Sequence, residues 1–494
     1  MESNLLLTLS FACYSLLIVA VGLYSTRRQK ETADDYVLAN RELGPIASSL
    51  SASASAESGW VMLGLVGEAY RYGSAAFWIV PGIAAGYVFN WFFIGERLRK
   101  STLDTGAVTV PQYIMHRYGR NSSALRYISV TIITLAMLGY VAAQMNAAGK
   151  AFEAVFELKY WVGVLAGAVI VLAYTISGGF RAIAWTDVMQ ASFMFVALII
   201  MPFIILYHIG GYGQFIAQVH MKDPSLLSFG YGQTAFAAIG FIVGLLGIGL
   251  GYPGQPHVIV RFMATKDKKS IGRGGAIALT WMILVYFGAI FFGLFSRIYF
   301  GHLADPEQAL PIGVREFLNP VVGGLIIAAI VAAICSTADS QLMVMASTVS
   351  RDVVPIFRRK KQQSEHADLS YREIRSLDQK VLIIFGLLSV FFALTKNRVI
   401  FDFVLYAWSV LGASFGPLII LGLFWKKTNR QGAIAGMITG LVVTVVWRNI
   451  PALKSALYEL VPAFILAFIA VVIVSLATGN ESRTEPTSQI GSEN

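Results

Sequence analysis

Charge is scarce in this chain of 494 residues: Asp, Glu, Lys and Arg together make up 13% of it, about half the share that soluble domains carry. With 56% hydrophobic residues and a mean hydropathy of +0.65, that scarcity excludes an ordinary water-soluble fold. Cysteine is nearly missing. Cys13 and Cys335 both fall in apolar runs without the spacing of a disulfide or a thiolate metal site, so neither a redox compartment nor zinc is indicated. Histidines are few and scattered, with no pair at helical spacing, which leaves a metalloenzyme without support. No nucleophile and base pairing stands near the carboxylates, so an intramembrane enzyme is not expected. The first apolar segment, LLLTLSFACYSLLIVAVGLY, lacks a basic stretch before it and a small-residue cleavage site after it. Arg27, Arg28 and Lys30 follow instead, which suits a retained first helix with its N-terminus outside.

Long apolar runs are abundant. A bilayer-spanning helix needs about 20 mostly apolar residues, and such runs recur near 4–24, 44–70, 74–95, 123–149, 159–178, 187–209, 232–258, 274–299, 319–349, 379–395, 399–424, 431–447 and 456–477. They predict an all-α polytopic membrane protein of 13 transmembrane helices; barrel strands would be shorter and alternating. With the N-terminus outside, the inward loops lie near 25–43, 96–122, 179–186, 259–273, 350–378 and 425–430. Those regions and their adjoining helix ends carry about 28 of the 38 Lys and Arg. The net charge of +10 is thereby explained by topology, and nucleic acid is not an expected partner. The loops RFMATKDKKSIGR and RDVVPIFRRKKQQSEHADLSYREIR read as topology anchors near anionic lipid. Residues 478–494 read as a disordered cytoplasmic tail.

Two segments are poor helices. Segment two begins LGPIASSLSASASAESGW, with Gly59 and the carboxylate of Glu57 at membrane depth. Segment seven contains GLLGIGLGYPGQPHVIV, interrupted by glycines and two prolines. Glycine weakens a helix interior by about 1 kcal/mol and proline by about 3, so both should unwind locally. They stand five segments apart, which predicts two units of five helices, 44–209 and 232–424, each opening on its broken helix. Residues 1–43 would form an extra N-terminal helix and cytoplasmic loop, and 431–477 two C-terminal helices. Interrupted segments at matching positions of two halves point to a transporter binding site. GLGYPG, read as a nucleotide-binding G-x-G-x-x-G, lacks the required strand and acidic residue and is better explained as a helix break.

The run AAICSTADSQ places Ser336, Thr337, Asp339 and Ser340 side by side at membrane depth. Helical spacing puts Ala333, Ser336 and Thr337 on one face and Ser336, Asp339 and Ser340 on an adjoining strip. A lone serine there would merely bond back to its own helix, but this density of hard oxygens, one ionisable, predicts a cation site. Asp187, at the expected start of segment six, fits either a helix cap or a functional carboxylate. Glu68 reads as a solvated residue near the outer edge.

ASAESGW (54–60), GGFRAIAWTDVMQAS (178–192), GLGYPGQPHVIVRFMA (249–264), ICSTADSQLMV (334–344) and YAWSVLGASFGPLI (406–419) together resemble the sodium/solute symporter family, and within it the proline-transporting members. The similarity runs along nearly the whole chain. It implies a leucine-transporter-type inverted five-plus-five repeat working by alternating access. It also implies a principal sodium site of the carbonyls of Ala54, Glu57 and Ala333 with the hydroxyls of Ser336 and Thr337. A second cation would fall to Asp187, Ser336, Asp339 and Ser340, and solute to Ser58, Gly59, Tyr140, Tyr252 and Pro256. Two positions depart from the pattern. Ile248 stands where the proline-transporting members have tryptophan, and Ala56 followed by Glu57 replaces an aspartate near the sodium site, where an unwound backbone would let Glu57 compensate.

The expectation is a sodium-coupled secondary symporter in the cell (inner) membrane, functional as a monomer in lipid, N-terminus outside and C-terminus cytoplasmic. Sodium is the co-transported ion and proline the leading solute, followed by another amino acid, a small carboxylate or a sugar. Proton coupling through Asp339 or Asp187, and a transporter-like membrane sensor, are the alternatives.

Overall fold

The protein is described by a computed structural model covering residues 2–26, 32–119, 122–231, 234–354, 371–395 and 399–479. The expected tail beyond residue 479 and the basic stretch 355–370 lie outside the described residues. Among those described, β-structure is limited to one isolated bridge between Leu43 and Thr265.

After α1 (Glu2–Thr26), the chain enters α2 (Pro45–Ala56) through a first-turn proline, whose missing N–H costs nothing there. The helix stops at Glu57, which is extended (φ −100°, ψ 91°). Helical geometry resumes as a wide turn, Trp60–Leu65, and continues as α3 (Val66–Tyr72). The return pass consists of α4 (Ile79–Val88) and α5 (Gly95–Thr105). Next come α6 (Ser123–Phe156) and α7 (Tyr160–Ile209), a 50-residue rod that Gly179 divides with a φ of 59° accessible mainly to glycine. Residues 179–186, expected as a loop, are instead the first two turns of the rod's second half.

The second break matches the first. Helix α8 (Ala235–Gly247) gives way to a tight 3₁₀ stretch, Ile248–Gly254, then to extended Gln255, and α9 (Pro256–Ala264) restarts on a proline. Five longer helices follow: α10 (Lys268–Phe300), α11 (Pro320–Thr348), α12 (Tyr371–Ala393), α13 (Ile400–Phe424) and α14 (Arg430–Asn449). The last is α15 (Leu460–Ala477).

Among the described residues 11 helical stretches are long and apolar enough to cross a membrane. The expected 13 is matched approximately, once the shorter apolar helix in the first half of α7 is added and the merged stretch Trp60–Thr105 is divided between its two passes. Helices α13 and α11 are the most enclosed, with 89% and 83% of their most apolar windows buried against 28% for α1.

The 3₁₀ stretch touches α4 backbone to backbone. A Cβ on Gly249 would stand 1.9 Å from the Gly82 carbonyl oxygen, and one on Gly251 would meet the Trp408 indole nitrogen at 2.0 Å. Close approach, more than turn geometry, therefore requires glycine at these positions. Gly249→Ala is expected to destabilise the purified protein by roughly 1–3 kcal/mol through overpacking. Gly272→Ala, inside α10 and with nothing within 4 Å of its Cβ, should instead keep or raise the thermal unfolding midpoint, with up to about 1 kcal/mol gained from helix propensity.

Candidate functional site

A helix end leaves its last carbonyls without intrahelical partners, and the end of α2 lies at the centre of the molecule. Ser53 O accepts from Glu57 N at 2.7 Å. Ala54 O accepts from the hydroxyls of Ser336 (2.9 Å) and Thr337 (3.2 Å), Ser55 O from Thr337 (3.1 Å), and Ala56 O from the Trp60 indole (3.0 Å). Ser336 also reaches Ala333 O at 3.1 Å. Ala54, Ala333, Ser336 and Thr337 are thus brought together, fully buried, as a cluster of neutral hard oxygens at the negative end of a helix dipole. Such a donor set suits a monovalent cation. The Glu57 side chain does not join it.

The adjoining strip has a different centre. The Arg261 guanidinium, fully buried in α9, donates to Ser51 Oγ (3.0 Å), Asp187 Oδ2 (3.1 Å), Ser340 Oγ (2.5 Å) and the His257 carbonyl. Ser51 donates to Asp187 at 2.6 Å, Ser340 donates to Asp339 at 3.1 Å, and Ser55 bonds Ser340 at 2.9 Å. Arg261 opens the loop expected to anchor on lipid; the structure corrects that for this residue, which no lipid can reach. Asp187 lies two turns inside a helix that begins at Gly179, so it caps nothing. Nothing in the one-dimensional pattern set Arg261 apart from its basic neighbours.

Glu57 turns to the opposite side of the break. Its Oε1 accepts from the Tyr87 (2.9 Å) and Tyr252 (2.5 Å) hydroxyls, and its Oε2 from Tyr286 (2.5 Å). The expectation that it stands in for an aspartate near the sodium site is corrected by this geometry. Tyr87 and Tyr286 carry no signal in the sequence, because a tyrosine in an apolar run looks the same whether it faces lipid or a buried acid.

The expected solute residues line the same break. Tyr252 packs edge-on against Tyr87 (4.9 Å between centroids) and Trp408 (4.8 Å), Trp408 against His257 (6.5 Å), and His257 against Tyr140 (5.8 Å). Ser58 Oγ accepts from Trp60 N, and Gly59 N donates to Gln144 Oε1, each at 3.2 Å. Pro256 starts α9. The breaks therefore leave fewer free amides than their unwinding suggests. Above them, at the end of the bundle carrying Tyr72, Asp402 and Tyr458, a cavity of about 460 Å³ opens, with Ile248, Phe401 and Leu405 among its lining. Glu68 lies in its wall, paired to Arg71 at 2.8 Å.

Two broken helices, an oxygen cluster between α2 and α11 and a one-sided vestibule define a membrane transporter. The profile of the Sodium:solute symporter family matches residues 36–440, and the chain belongs to that family. It is 36% identical over 467 residues to the high-affinity proline transporter PutP of Bacillus subtilis, covering 93% of this chain and 96% of that one. It is 35% identical over 476 residues to the sodium/proline symporter of Escherichia coli, covering 94% and 92% respectively. A substrate-bound, outward-open Na+-coupled sialic acid symporter superposes with a TM-score of 0.79 at 20% identity over 99% of each chain. The nucleobase-cation-symport-1 family transporter MHP1 gives 0.57 at 13% identity over 91% of this chain and 97% of that one. The fold is accordingly of the leucine-transporter type.

Removing one member of a buried ion pair strands the other. Arg261→Leu is expected to lower the unfolding free energy by about 3–5 kcal/mol. In a double-mutant cycle with Asp187→Leu, the combined loss should be clearly smaller than the sum of the two single losses, because the stranded charge is then removed too.

Proposed function

We propose that this protein imports proline together with sodium down the sodium gradient, by alternating access, as a single chain in the cell (inner) membrane. The observation that carries the reading is the oxygen cluster of Ala54, Ala333, Ser336 and Thr337 at the first break. In the resting protein the two hydroxyls donate to carbonyl lone pairs that a sodium ion would claim. Sodium entry turns the hydroxyls round to act as ligands, with the Glu57 carbonyl as the fifth, and ties α2 to α11. The ion stabilises one arrangement of the breaks and so raises affinity for solute, and by linkage the solute raises affinity for sodium to the same degree.

The excess of Lys and Arg in the expected inward loops supports an N-terminus outside and a C-terminus inside, which places the vestibule on the outer side. Solute would descend from there to Ser58, Gly59, Tyr140, Tyr252 and Pro256. At the second cation position, Asp187 and Ser340 with neighbouring Asp339, the Arg261 guanidinium supplies a tethered positive charge, which favours one sodium per solute. The two halves, 44–209 and 232–424, would move as the repeats of the cycle.

Proteoliposomes given a sodium gradient at equal pH on both sides should accumulate radiolabelled proline, with uptake rising hyperbolically with sodium. Uptake that ignores sodium, or follows an imposed proton gradient instead, would remove the reading. Ser336→Ala with Thr337→Ala should raise the sodium concentration for half-maximal uptake by about tenfold or more, the effect of losing one or two ligand bonds. An unchanged sodium dependence would mean that the ion sits elsewhere.

A further inference from the structure

Glu57 is completely buried at membrane depth and forms no ion pair among the described residues; its partners are the three phenols. Two other buried carboxylates are neutralised by cations. Asp187 has Arg261, and Glu307 has Lys150 together with the backbone amides of Ile400 and Phe401. An uncompensated carboxylate in a low-dielectric interior is costly, and intramembrane charges that persist are usually functional.

The chemistry of the cage selects its occupant. A phenol has one O–H to give, and Tyr87, Tyr252 and Tyr286 all spend theirs on Glu57. What remains is a carboxylate and three phenol oxygens, all acceptors, edged by the rings of Trp60 and Trp408. An ammonium group has donors and no acceptor, matches this set in charge, and gains from aromatic neighbours. On the other side of the break the inventory is reversed. Gln144 Nε2 and both His257 ring nitrogens are buried without a hydrogen-bond partner, and Tyr140 Oη lies beside the Ser58 hydroxyl. Gln144 is tied to Gly59, two residues beyond Glu57. Gln144 Nε2, the Tyr140 hydroxyl and the single N–H of a neutral His257 ring offer the donors that a carboxylate needs. Access is short: Phe401, in the vestibule wall, packs on Trp60 at 5.9 Å, and Trp60 packs on Tyr286 at 5.9 Å.

We infer that Glu57, held by its three tyrosines, is the receptor for the solute's cationic nitrogen, so that the site takes a zwitterion by its two poles and rejects acids that lack the ammonium. This rests on the symport reading and adds to it the residue that sets substrate class.

The test uses the full chain in lipid with sodium present and two ligands of one shape: L-proline, and tetrahydrofuran-2-carboxylate, in which a ring oxygen replaces the ammonium. The wild-type protein should bind proline about 100-fold or more tighter than the ether acid, since a site built for a charged donor strongly rejects an analogue without it. Glu57→Gln should weaken proline by about tenfold or more and leave the ether acid nearly unchanged, while Glu57→Asp restores part of the discrimination. Equal binding of the two ligands by the wild type overturns the inference and needs no variant to fold. So does a parallel loss of both ligands in Glu57→Gln, the mark of a merely structural carboxylate. An equal loss of sodium binding measured without solute also overturns it, because the cage would then be a cation site. Discriminating binding without sodium-driven uptake would remove the symport reading and leave this one standing. Sodium-driven uptake of both ligands would do the reverse, and absence of proline binding would remove both.

Discussion

Within a bilayer a backbone carbonyl that leaves its helix has no water to turn to, and the interruption of α2 at Glu57 leaves three such groups, on Ala54, Ser55 and Ala56. The rest of the centre is arranged around satisfying them. Ser336 and Thr337 must face the break, which fixes the rotation of α11, one of the two most buried helices. Trp60 must fold its indole back onto Ala56, so the outer half of the broken pass restarts at a defined angle. Hydroxyl donors satisfy these oxygens adequately but replaceably. A cation could take the same lone pairs, so the arrangement that satisfies the break would also serve the proposed ion site.

The buried charges divide the molecule into two ends. Arg261 ties α9 to α2, α7 and α11 through Ser51, Asp187 and Ser340, and Ser55 adds a further link between α2 and α11. These four helices are closed on one another below the break. At the other end the charged groups lie in the walls of an open vestibule, where Lys454 reaches Asp402 at 3.4 Å and Arg448 reaches Glu459 at 3.5 Å. Tight packing below and an open cavity above describe one side of an access cycle. In the proposed cycle, exposing the other side would require the Arg261 bonds to part, a cost that differential binding of ion and solute would have to meet.

Much of this was legible in the residues. Apolar length and turn residues located the passes, and the two breaks were visible because glycine and proline carry backbone costs that no packing hides. The oxygen face of α11 followed from helical spacing alone. Contacts that cross between helices were not legible. Arg261 lay at the edge of a basic loop and read as an anchor, because burial is decided by neighbours over 200 residues away, such as Ser51. Tyr87 and Tyr286 gave no signal, since an aromatic ring is equally at home against lipid and against a buried acid. The sequence around Gly179 reads as a loop, whereas the helix continues on both sides of its positive φ.

Ile248 shows how one departure from the pattern of proline-transporting members is absorbed. Its side chain lines the vestibule, while its carbonyl oxygen accepts the Trp408 indole N–H at 3.0 Å. The bond fixes Trp408 between Tyr252 and His257, so an aromatic wall persists although it comes from α13. A tryptophan at 248 would add a second ring from the broken segment itself. With isoleucine there, movement of α13 relative to the 3₁₀ stretch would open the wall directly, since only Gly251 separates the indole from the backbone. Glu57 acts on the same junction from the other side through Tyr252. The hydroxyl of that tyrosine serves the carboxylate while its ring leans on Trp408, so anything that draws the carboxylate toward a ligand also pulls on the α13 contact. In the proposed symport cycle, ion, solute and helix movement would thereby be linked through one short run of residues, from Ala54 to Trp60, and the side chains that replaced its helical hydrogen bonds.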